Sequence, residues 1–305
     1  MSSGAGASTA SQAAGVAPRS AASQLVRDYV TLTKPTVQSL LLLTTVTTMY
    51  VAGDPSIGLV IVTVIGGYLA AGGAGAVNHY YDRDIDARMA RTANRPVPSG
   101  RISPAAALAF GLLLGVLSVV WLTLTTNVLA AGLSFSGFVG YTVLYTVVLK
   151  RRTWQNIVWG GAAGAVPPLV GWAAVTGGLT GMPIYLFAIV FFWTPPHFWA
   201  LSLLMKDEYA KVGVPMLPVV RGEHETRRQI LLYSVLLWAV TQLPFCAGGL
   251  GTLYPVTSLV LGGLLIASAV ALQRRADRRA ALRLYLFSLL YLALLFVAMV
   301  ADVKL

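Results

Sequence analysis

Three oxygen-bearing side chains recur at every fourth residue of one short stretch: Asn78, Asp82 and Asp86. On an α-helix this spacing places the three side chains along one face. Oxygen ligands in such a stripe suit a hard divalent cation such as Mg2+. The chain has only eleven acidic residues, and three of them lie between positions 82 and 86. A metal site is therefore favoured over the alternative, a solvated loop with surface ion pairs.

Basic side chains follow this stretch and reappear further along the chain. Carboxylates beside dense cations indicate a place where a metal and a polyanionic phosphate meet. Tyr141, Thr142 and Tyr145 precede one basic group on a predicted helix, and Asn156 follows it, so hydrogen-bond donors line a predicted pocket mouth. The alternative for the run 150–152 is membrane orientation alone. The candidates for phosphate contact are Arg83, Arg95, Lys150, Arg151 and Arg152.

A second acidic pair, Asp207 and Glu208, follows a later apolar run. These carboxylates could serve a second metal ion. Because they are adjacent, they point about 100° apart on a helix and cannot form a stripe alone. A plain loop is the alternative that remains open for this pair.

The composition is that of an all-α polytopic membrane protein. Of the 305 residues, 56 % are hydrophobic and 11 % are charged, and the mean hydropathy is +0.72. Apolar runs of about twenty residues recur, each long enough to cross a hydrocarbon core of about 30 Å. We expect a disordered tail over 1–24 and a single transmembrane domain over 25–305. Nine transmembrane helices are predicted, over 36–52, 57–77, 104–124, 127–148, 155–175, 183–204, 229–249, 256–273 and 283–301.

The distribution of charge predicts the orientation of these spans. Of the 22 basic residues, all but Lys304 fall on one side of the nine-span arrangement. The excess of basic residues in cytoplasmic loops places the N-terminus in the cytoplasm and the C-terminus outside, in a multi-pass protein of the cell membrane. Orientation therefore explains the net charge of +11, and no nucleic-acid partner is expected. The single cysteine, Cys246, excludes an intrachain disulfide.

His197 is the only ionisable residue well inside a predicted span. It lies about 13 Å inside the sixth span if the helix is regular. Pro195 and Pro196 precede it and are expected to break that helix. Ionisable groups inside a membrane are usually functional, which favours a contact to a bound cofactor or substrate. A neutral histidine hydrogen-bonded between helices is the alternative.

Several strings of the sequence carry a family resemblance. Together with the 78–86 stretch and nine spans, they resemble the UbiA-type intramembrane prenyltransferases, and specifically their protohaem IX farnesyltransferase (haem O synthase) branch. The resemblance covers about residues 25–300. A second DxxxD pattern common in the superfamily is missing here, because positions 205 and 209 are Met and Tyr. The strings are Leu32–Pro35, Asn78–Asp82, Arg91–Thr92 with Asn94–Pro96, Tyr145–Thr146 with Leu149–Arg151, Gly164–Pro168, Pro195–Trp199 and Gly213–Pro218.

The resemblance implies a UbiA-type helical bundle that transfers the farnesyl group of farnesyl diphosphate to a vinyl group of haem B, with addition of water. Mg2+ at Asn78, Asp82 and Asp86, and at the Asp207–Glu208 pair, would assist release of diphosphate. Arg83, Arg95, Lys150 and Arg151 would hold the phosphates. The implied partners beyond the two substrates are the lipid bilayer and a downstream haem-modifying enzyme or assembly proteins of a terminal oxidase. The residues implied for haem and prenyl contact are His79, His197, Tyr80, Tyr81, Tyr141, Tyr145, Trp193 and Trp199.

Two other functions stay open on the sequence. The acceptor could be an aromatic ring, as in quinone biosynthesis, although the haem-branch strings argue against it. A membrane transporter is a third possibility. Transporters commonly carry polar groups near the bilayer midplane and show repeated halves. In this sequence the charges collect on one side and no convincing repeat is present, which disfavours transport.

Overall fold

A computed structural model describes residues 21–305 and shows only helices over that range. The first helix begins at Ala21, inside the segment predicted as a tail, and the rest of that segment lies outside the described residues. The helices are α1 Ala21–Leu32, α2 Pro35–Ala52, α3 Ile57–Tyr81, α4 Arg83–Asp86, α5 Pro104–Thr125, α6 Val128–Val139, a π-helix Gly140–Leu149, α7 Asn156–Gly164, α8 Pro167–Thr176, α9 Gly181–Leu204, α10 Lys206–Lys211, α11 Leu217–Val220, α12 Gly222–Val240, α13 Leu243–Cys246, α14 Leu253–Arg275 and α15 Arg278–Lys304.

A helical segment stands at each of the nine predicted spans. Eight segments of the described chain are long and apolar enough to cross a membrane. Three of these eight combine two neighbouring elements: α6 with the π-helix, α7 with α8, and α12 with α13. The remaining predicted span, the first along the chain, is α2, which has 18 residues and is rich in threonine. It packs against α3, α8 and α15, so it belongs to the bundle.

Local sequence explains where several spans begin. The hydroxyl of Ser56 accepts a hydrogen bond from Leu59 N over 3.1 Å, which caps α3. Ser103 caps α5 in the same way, and Pro104 follows as the first helical residue. Asp277 accepts from Ala280 N over 2.6 Å at the start of α15. Side-chain oxygens at this position satisfy backbone donors that have no partner inside the helix.

Glycines in α3 allow two neighbours to approach its backbone. A Cβ on Gly73 would lie 2.6 Å from the carbonyl oxygen of Gly111 in α5, so the two helices touch through their backbones. A Cβ on Gly75 would lie 3.0 Å from the carbonyl oxygen of Leu32, at the end of α1. This glycine-rich stretch therefore lets neighbouring backbones approach closely, and it holds the α1–α2 junction against the end of α3.

The break expected at Pro195 and Pro196 does not occur. Both prolines lie inside α9, which runs without interruption from Gly181 to Leu204. Each proline removes one backbone hydrogen bond. However, α9 packs against α7, α12 and α15. Tertiary packing over its length outweighs the loss of two local bonds.

The charged loops meet at one end of the bundle. There, Arg101 in the loop before α5 pairs with Asp28 of α1 over 3.0 Å. At the same end Arg278 donates to Leu204 O over 2.9 Å. At the opposite end the carboxylate of Asp302 accepts from Leu253 N over 2.7 Å, and Lys304 pairs with Asp54. Polar chemistry is thus concentrated where α3 ends.

Candidate functional site

The stretch 78–86 runs through a helix interruption. α3 ends at Tyr81, and Asp82 adopts φ −88° and ψ 4° before the short helix α4. The four-residue register nevertheless continues, because Asp82 N donates to Asn78 O over 2.9 Å and Asp86 N to Asp82 O over 2.8 Å. Asn78, Asp82 and Asp86 are 3 %, 1 % and 3 % exposed. The predicted single helical face therefore extends across two helices as a buried row of three oxygen-bearing side chains. We name Asn78, Asp82 and Asp86 the ladder.

Each rung of this ladder is contacted by a different cation. Lys34 Nζ donates to Asn78 Oδ1 over 2.6 Å, and Lys150 Nζ pairs with Asp82 Oδ2. Arg95 Nη1 lies 2.7 Å from Asp86 Oδ2. We name Lys34, Arg95, Lys150 and Arg151 the cation cluster. Its charge exceeds that of the two buried carboxylates, so the site attracts a polyanion.

Lys34 is the functional residue that the sequence interpretation missed. In the sequence it stands only among the basic residues that orient the spans and in the string Leu32–Pro35. The chain places it here because the α1–α2 junction lies against Gly75. Lys34 itself adopts the left-handed conformation, with φ 52°, directly before the first residue of α2. Burial and the neighbouring Arg95 lower the pKa of Lys34 to about 8, while Asp82 and Asp86 oppose that shift. A lone lysine at a span boundary, on the side of the metal motif, was the available signal.

The π-helix Gly140–Leu149 packs beside α3 at the ladder. In this segment a backbone N–H donates to the carbonyl oxygen five residues earlier, as Lys150 N does to Tyr145 O over 2.8 Å. The resulting register turns three polar groups toward α3. Tyr141 OH accepts from Lys34 over 3.5 Å, Thr146 Oγ1 accepts from Asn78 Nδ2 over 3.2 Å, and Lys150 reaches Asp82. π-helices are rare and often occur at functional sites.

Arg151 is shared between the buried ladder and a surface carboxylate. Its guanidinium donates to both oxygens of Asp84, over 2.6 and 2.8 Å, and to Tyr81 O over 2.9 Å. It lies 3.5 Å from Asp82 Oδ1. The hydrogen bonds from Arg151 hold the pKa of the Asp84 carboxyl below its usual range. Asp84 is exposed and lies outside the ladder, but it positions Arg151.

Arg83 does not join the cluster. It is exposed, donates to Tyr80 O over 2.7 Å, and lies 4.7 Å from the centre of the Tyr80 ring. Arg151 covers the Tyr81 ring in the same way at 4.8 Å. The rings of Tyr80 and Tyr81 already face guanidinium groups, which separates them from the aromatic pair in the π-helix. Tyr141 and Tyr145 have ring centres 5.4 Å apart and lie beside the cation cluster.

His79 is buried beside the ladder, with 1 % exposure. Neither ring nitrogen has a hydrogen-bond partner among the described residues. It lies on α3 between Asn78 and Asp82. The positive charges of Lys34, Arg95 and Lys150 lie close to it. A buried ring with two unsatisfied nitrogens costs free energy unless a ligand supplies partners.

The second acidic pair divides between two environments. Asp207 is exposed, and its carboxylate makes no hydrogen bond or ion pair within residues 21–305. Glu208 instead reaches the first motif, because its Oε2 accepts from Ala90 N over 3.0 Å, while Oε1 pairs with Lys211 at 3.4 Å. In the described range, no three His, Cys, Asp or Glu side chains group closely enough to hold a metal ion. The two acidic groups therefore do not form one cluster here.

The His197 ring is packed on both faces. The Trp193 ring lies 4.4 Å away on one side and the Tyr285 ring 4.8 Å away on the other, both nearly parallel to it. His197 Nδ1 lies 2.8 Å from Ser288 Oγ. Because that hydroxyl donates to Tyr285 O over 2.7 Å, Nδ1 is assigned as the donor and Nε2 as the free acceptor. This geometry favours the hydrogen-bonded core interpretation and leaves only the Nε2 edge for a ligand.

The ladder provides the oxygen ligands that Mg2+ requires. It offers one amide and two carboxylate oxygens within four-residue steps, and Mg2+ takes oxygen ligands. Asp86 Oδ1 accepts no hydrogen bond from any described residue, and Asp82 Oδ1 has only the 3.5 Å contact to Arg151. Each carboxylate thus keeps one oxygen for a metal while the other holds a cation.

Comparison with known proteins supports one family. The model of the UbiA prenyltransferase family matches residues 41–297. A curated relative from Chloroflexus aurantiacus, named Protoheme IX farnesyltransferase, is 56 % identical over 97 % of this chain and 51 % of its own length. A relative of the same name from Symbiobacterium thermophilum is 53 % identical over 92 % of this chain and 95 % of its own. The chain spans about half the length of the first curated relatives it matches.

Solved structures share the fold at low sequence identity. The structure described for a digeranylgeranylglyceryl phosphate synthase superposes with a TM-score of 0.76 at 18 % identity, over 92 % of this chain and all of its own. A UbiA homolog from Archaeoglobus fulgidus, bound to GPP and Mg2+, gives 0.67 at 16 % identity, over 91 % of this chain and all of its own. Together with the family match over most of the chain, these likenesses show that the chain belongs to the UbiA prenyltransferase family.

Proposed function

We propose that the protein transfers the farnesyl group of farnesyl diphosphate to a vinyl group of haem B. The observation that carries this proposal is the buried ladder Asn78–Asp82–Asp86, with each rung contacted by a separate cation. Such an arrangement suits a metal-bound diphosphate at the membrane edge. The haem acceptor is supported by the names of relatives at 53–56 % identity, one of which this chain matches over nearly its whole length.

The cation cluster is the proposed diphosphate site. Lys34, Arg95 and Lys150 now neutralise the ladder, and Arg151 joins them through Asp84. A diphosphate entering between them would accept hydrogen bonds from the same groups. Arg83 and Arg152 are less suited, since Arg83 turns to Tyr80 and Arg152 is exposed without a described partner.

Asn78, Asp82 and Asp86 would hold Mg2+, and Glu208 is better placed than Asp207 to support them. When bound, the ion would neutralise charge that develops on the departing diphosphate. The protein groups act alongside it. Lys150 and Lys34 donate to the ladder and the phosphates, and their positions are fixed by the π-helix and by the α1–α2 junction.

The transfer itself needs a water-poor pocket with aromatic walls. The bond between farnesyl C1 and the diphosphate oxygen breaks, and the electron pair leaves with diphosphate. A haem vinyl carbon then bonds to C1, and water adds to the resulting cation with loss of a proton. Tyr141 and Tyr145, beside the cation cluster, are the proposed rings that stabilise the allylic cation. His79 completes this wall with nitrogens that have no described partner.

The charged end of the bundle is the proposed cytoplasmic end. The contacts of Asp28 with Arg101 and of Lys150 with Asp82 show that the basic loops share one end. The excess of basic residues in cytoplasmic loops then gives a cell-membrane protein with a cytoplasmic N-terminus and an external C-terminus. Product release into the bilayer would supply a downstream haem-modifying enzyme or the assembly proteins of a terminal oxidase.

A reconstituted assay tests this function. Purified protein is incubated with farnesyl diphosphate, Mg2+ and haem B, and the extracted haems are analysed by mass spectrometry. We expect a haem heavier by one farnesyl group and one hydroxyl group, formed by the parent and strongly reduced in Asp82→Asn. Parallel reactions contain a quinone-type aromatic acceptor instead of haem. Prenylation of that acceptor with haem left unchanged would contradict the proposal and favour the alternative acceptor.

A further inference from the structure

The short helix α1 presents three different faces. Asp28 and Leu32 are buried against the rest of the chain. Leu25, Val26 and Val30 form a second, apolar face and are 50 %, 64 % and 47 % exposed. At about 100° per residue these three side chains lie within an arc of about 140°. An apolar face of this width commonly packs on a protein core, yet here it is turned outward.

The third face of α1 is polar. Arg27 and Thr31 are exposed on it, next to Ser23. Around the helix axis this polar face lies between the apolar face and the buried side that holds Asp28. The helix therefore separates three surroundings, which are the protein, an apolar medium and water.

Two contacts place α1 at one depth in the bundle. A Cβ on Gly75 of α3 would lie 3.0 Å from the carbonyl oxygen of Leu32, and Gly75 is six residues, or about 9 Å, from the end of α3. The Tyr29 ring meets the Phe110 ring edge-on at 4.9 Å, and Phe110 is six residues, or about 9 Å, from the start of α5. Both distances are measured from the charged end, so α1 crosses the bundle at a nearly constant depth.

An ion pair fixes how α1 is rotated about its axis. Arg101, in the loop before α5, donates from Nε to both oxygens of Asp28 over 3.0 and 3.1 Å. These hydrogen bonds hold the pKa of the Asp28 carboxyl below its usual range. Because Asp28 is tied to Arg101 and the Tyr29 ring packs on Phe110, the apolar face is held pointing outward.

The outward surface of the neighbouring helices indicates which medium meets this face. Val37 in the first turn of α2 and Leu113 in α5 are both exposed. Both helices belong to the transmembrane bundle, so their exposed apolar side chains face lipid. Since α1 is joined to α2 and packs on α5, its apolar face continues the same lipid-facing surface.

We propose that the apolar face of α1 docks on the acyl chains of the membrane leaflet at the charged end, and that this docking holds Lys34 against the ladder. With 12 residues, α1 is about 18 Å long and too short to cross the hydrocarbon core. Helices that lie in a membrane surface bury their apolar face about 5–10 Å into the boundary between headgroups and acyl chains. The depth of about 9 Å at Gly75 and Phe110 matches that position.

The position of α1 controls the position of Lys34. The helix ends at Leu32, and Lys34 follows in the left-handed conformation, with φ 52°. Its Nζ donates to Asn78 Oδ1 over 2.6 Å. A shift of α1 away from α3 would therefore withdraw Lys34 from the ladder. This second step rests on the proposed function, which gives Lys34 a diphosphate to hold, whereas the docking of α1 does not.

Collision experiments on spin-labelled protein test the docking. Val26→Cys and Thr31→Cys each place one nitroxide on α1, in a Cys246→Ser background that removes the native thiol. The full-length proteins are reconstituted into nanodiscs of phosphatidylcholine and phosphatidylglycerol. We expect the label at 26 to collide more often with oxygen, which concentrates among acyl chains. The same label should collide several-fold less with a water-soluble nickel chelate than the label at 31.

A matched pair of charge substitutions tests the link to Lys34. Val26→Asp and Thr31→Asp add the same charge to exposed positions of one helix, on its apolar and its polar face. Binding of farnesyl diphosphate with Mg2+ is measured by calorimetry in the same nanodiscs. We expect Val26→Asp to weaken this binding about fivefold, because a carboxylate is costly among acyl chains and α1 moves with it. Thr31→Asp should bind farnesyl diphosphate nearly like the parent.

Each other outcome has a defined meaning. If the label at 26 collides with the nickel chelate as often as the label at 31, the apolar face lies in water and the docking is overturned. If the label at 26 is shielded from both oxygen and the chelate, protein covers the face, such as a second copy of this chain, and the docking is also overturned. If the docking holds but Val26→Asp binds farnesyl diphosphate no worse than Thr31→Asp, the link to Lys34 is overturned. If the parent itself binds no farnesyl diphosphate, the proposed function and the link to Lys34 fail together, and the collision data still decide the docking.

Discussion

Lys34 Nζ donates a hydrogen bond of 2.6 Å to Asn78 Oδ1, which joins the α1–α2 junction to the first rung of the donor ladder. The two residues are 44 positions apart in the chain. Their contact exists because Gly75 admits the backbone of that junction against α3. A cation held by both a strained backbone and a buried amide is fixed in place before substrate arrives.

Replacing Lys34 with methionine tests this relationship. The change keeps the length of the side chain and removes the charge, so we expect farnesyl diphosphate binding to weaken about tenfold or more. Calorimetric titration with farnesyl diphosphate and Mg2+ measures the effect. Arg27→Gln is the matched control, because it removes an exposed cation from α1 at the same end of the bundle. If both variants lost the same affinity for farnesyl diphosphate, Lys34 would contribute only to the general positive charge of this end, and the specific contact would be contradicted.

Charge removal along 78–86 should have graded effects. Asp82→Asn or Asp86→Asn removes a buried carboxylate from the ladder and should lower turnover by on the order of a hundredfold or more. Asp84→Asn should cost less, because Asp84 lies outside the ladder and acts only by positioning Arg151. Turnover is measured with farnesyl diphosphate and haem B, after thermal melts show that each variant is folded. Equal losses at the three positions would remove the case for a metal-binding ladder.

The hydropathy of the apolar runs predicted the helical bundle, and the four-residue spacing of Asn78, Asp82 and Asp86 predicted the ladder. A run of about twenty apolar residues can satisfy its backbone in lipid only as a helix, so span positions follow from composition. The four-residue spacing of the ladder survived even though the helix is interrupted at Asp82, because the backbone bonds on both sides keep the same register.

Other features depend on contacts that no local pattern reveals. Lys34 reaches the site through the packing of α1 on α3. Sequence spacing could not show that Arg95 turns inward while Arg83 lies on Tyr80. Backbone hydrogen bonds span five residues in the π-helix that ends before Lys150 and four residues in an α-helix. The spacing of apolar residues over one turn cannot distinguish the two. The continuity of α9 through Pro195 likewise follows from its neighbours.

The proposed orientation makes a clear prediction for reporter fusions. Fusions after residues 90, 152, 215 and 276 should report cytoplasm, because these loops belong to the charged end. Fusions near 54, 180, 252 and 305 should report the outside. Paired reporters active on opposite sides of the membrane make each fusion its own control. A cytoplasmic C-terminus would contradict the nine-span arrangement, since an odd number of crossings separates the two termini.

His197→Ala distinguishes packing from iron ligation. The ring fills the space between Trp193 and Tyr285, so its removal should lower the apparent Tm by on the order of 5 °C. Because the ring is held by packing and by its hydrogen bond with Ser288, haem affinity and the position of the haem absorbance band should match those of the parent. His197→Gln, which keeps a hydrogen-bonding group near Ser288, should recover part of the stability. Weakened haem binding with a shifted absorbance band, and with farnesyl diphosphate binding intact, would instead show that Nε2 ligates the iron, as the sequence first suggested.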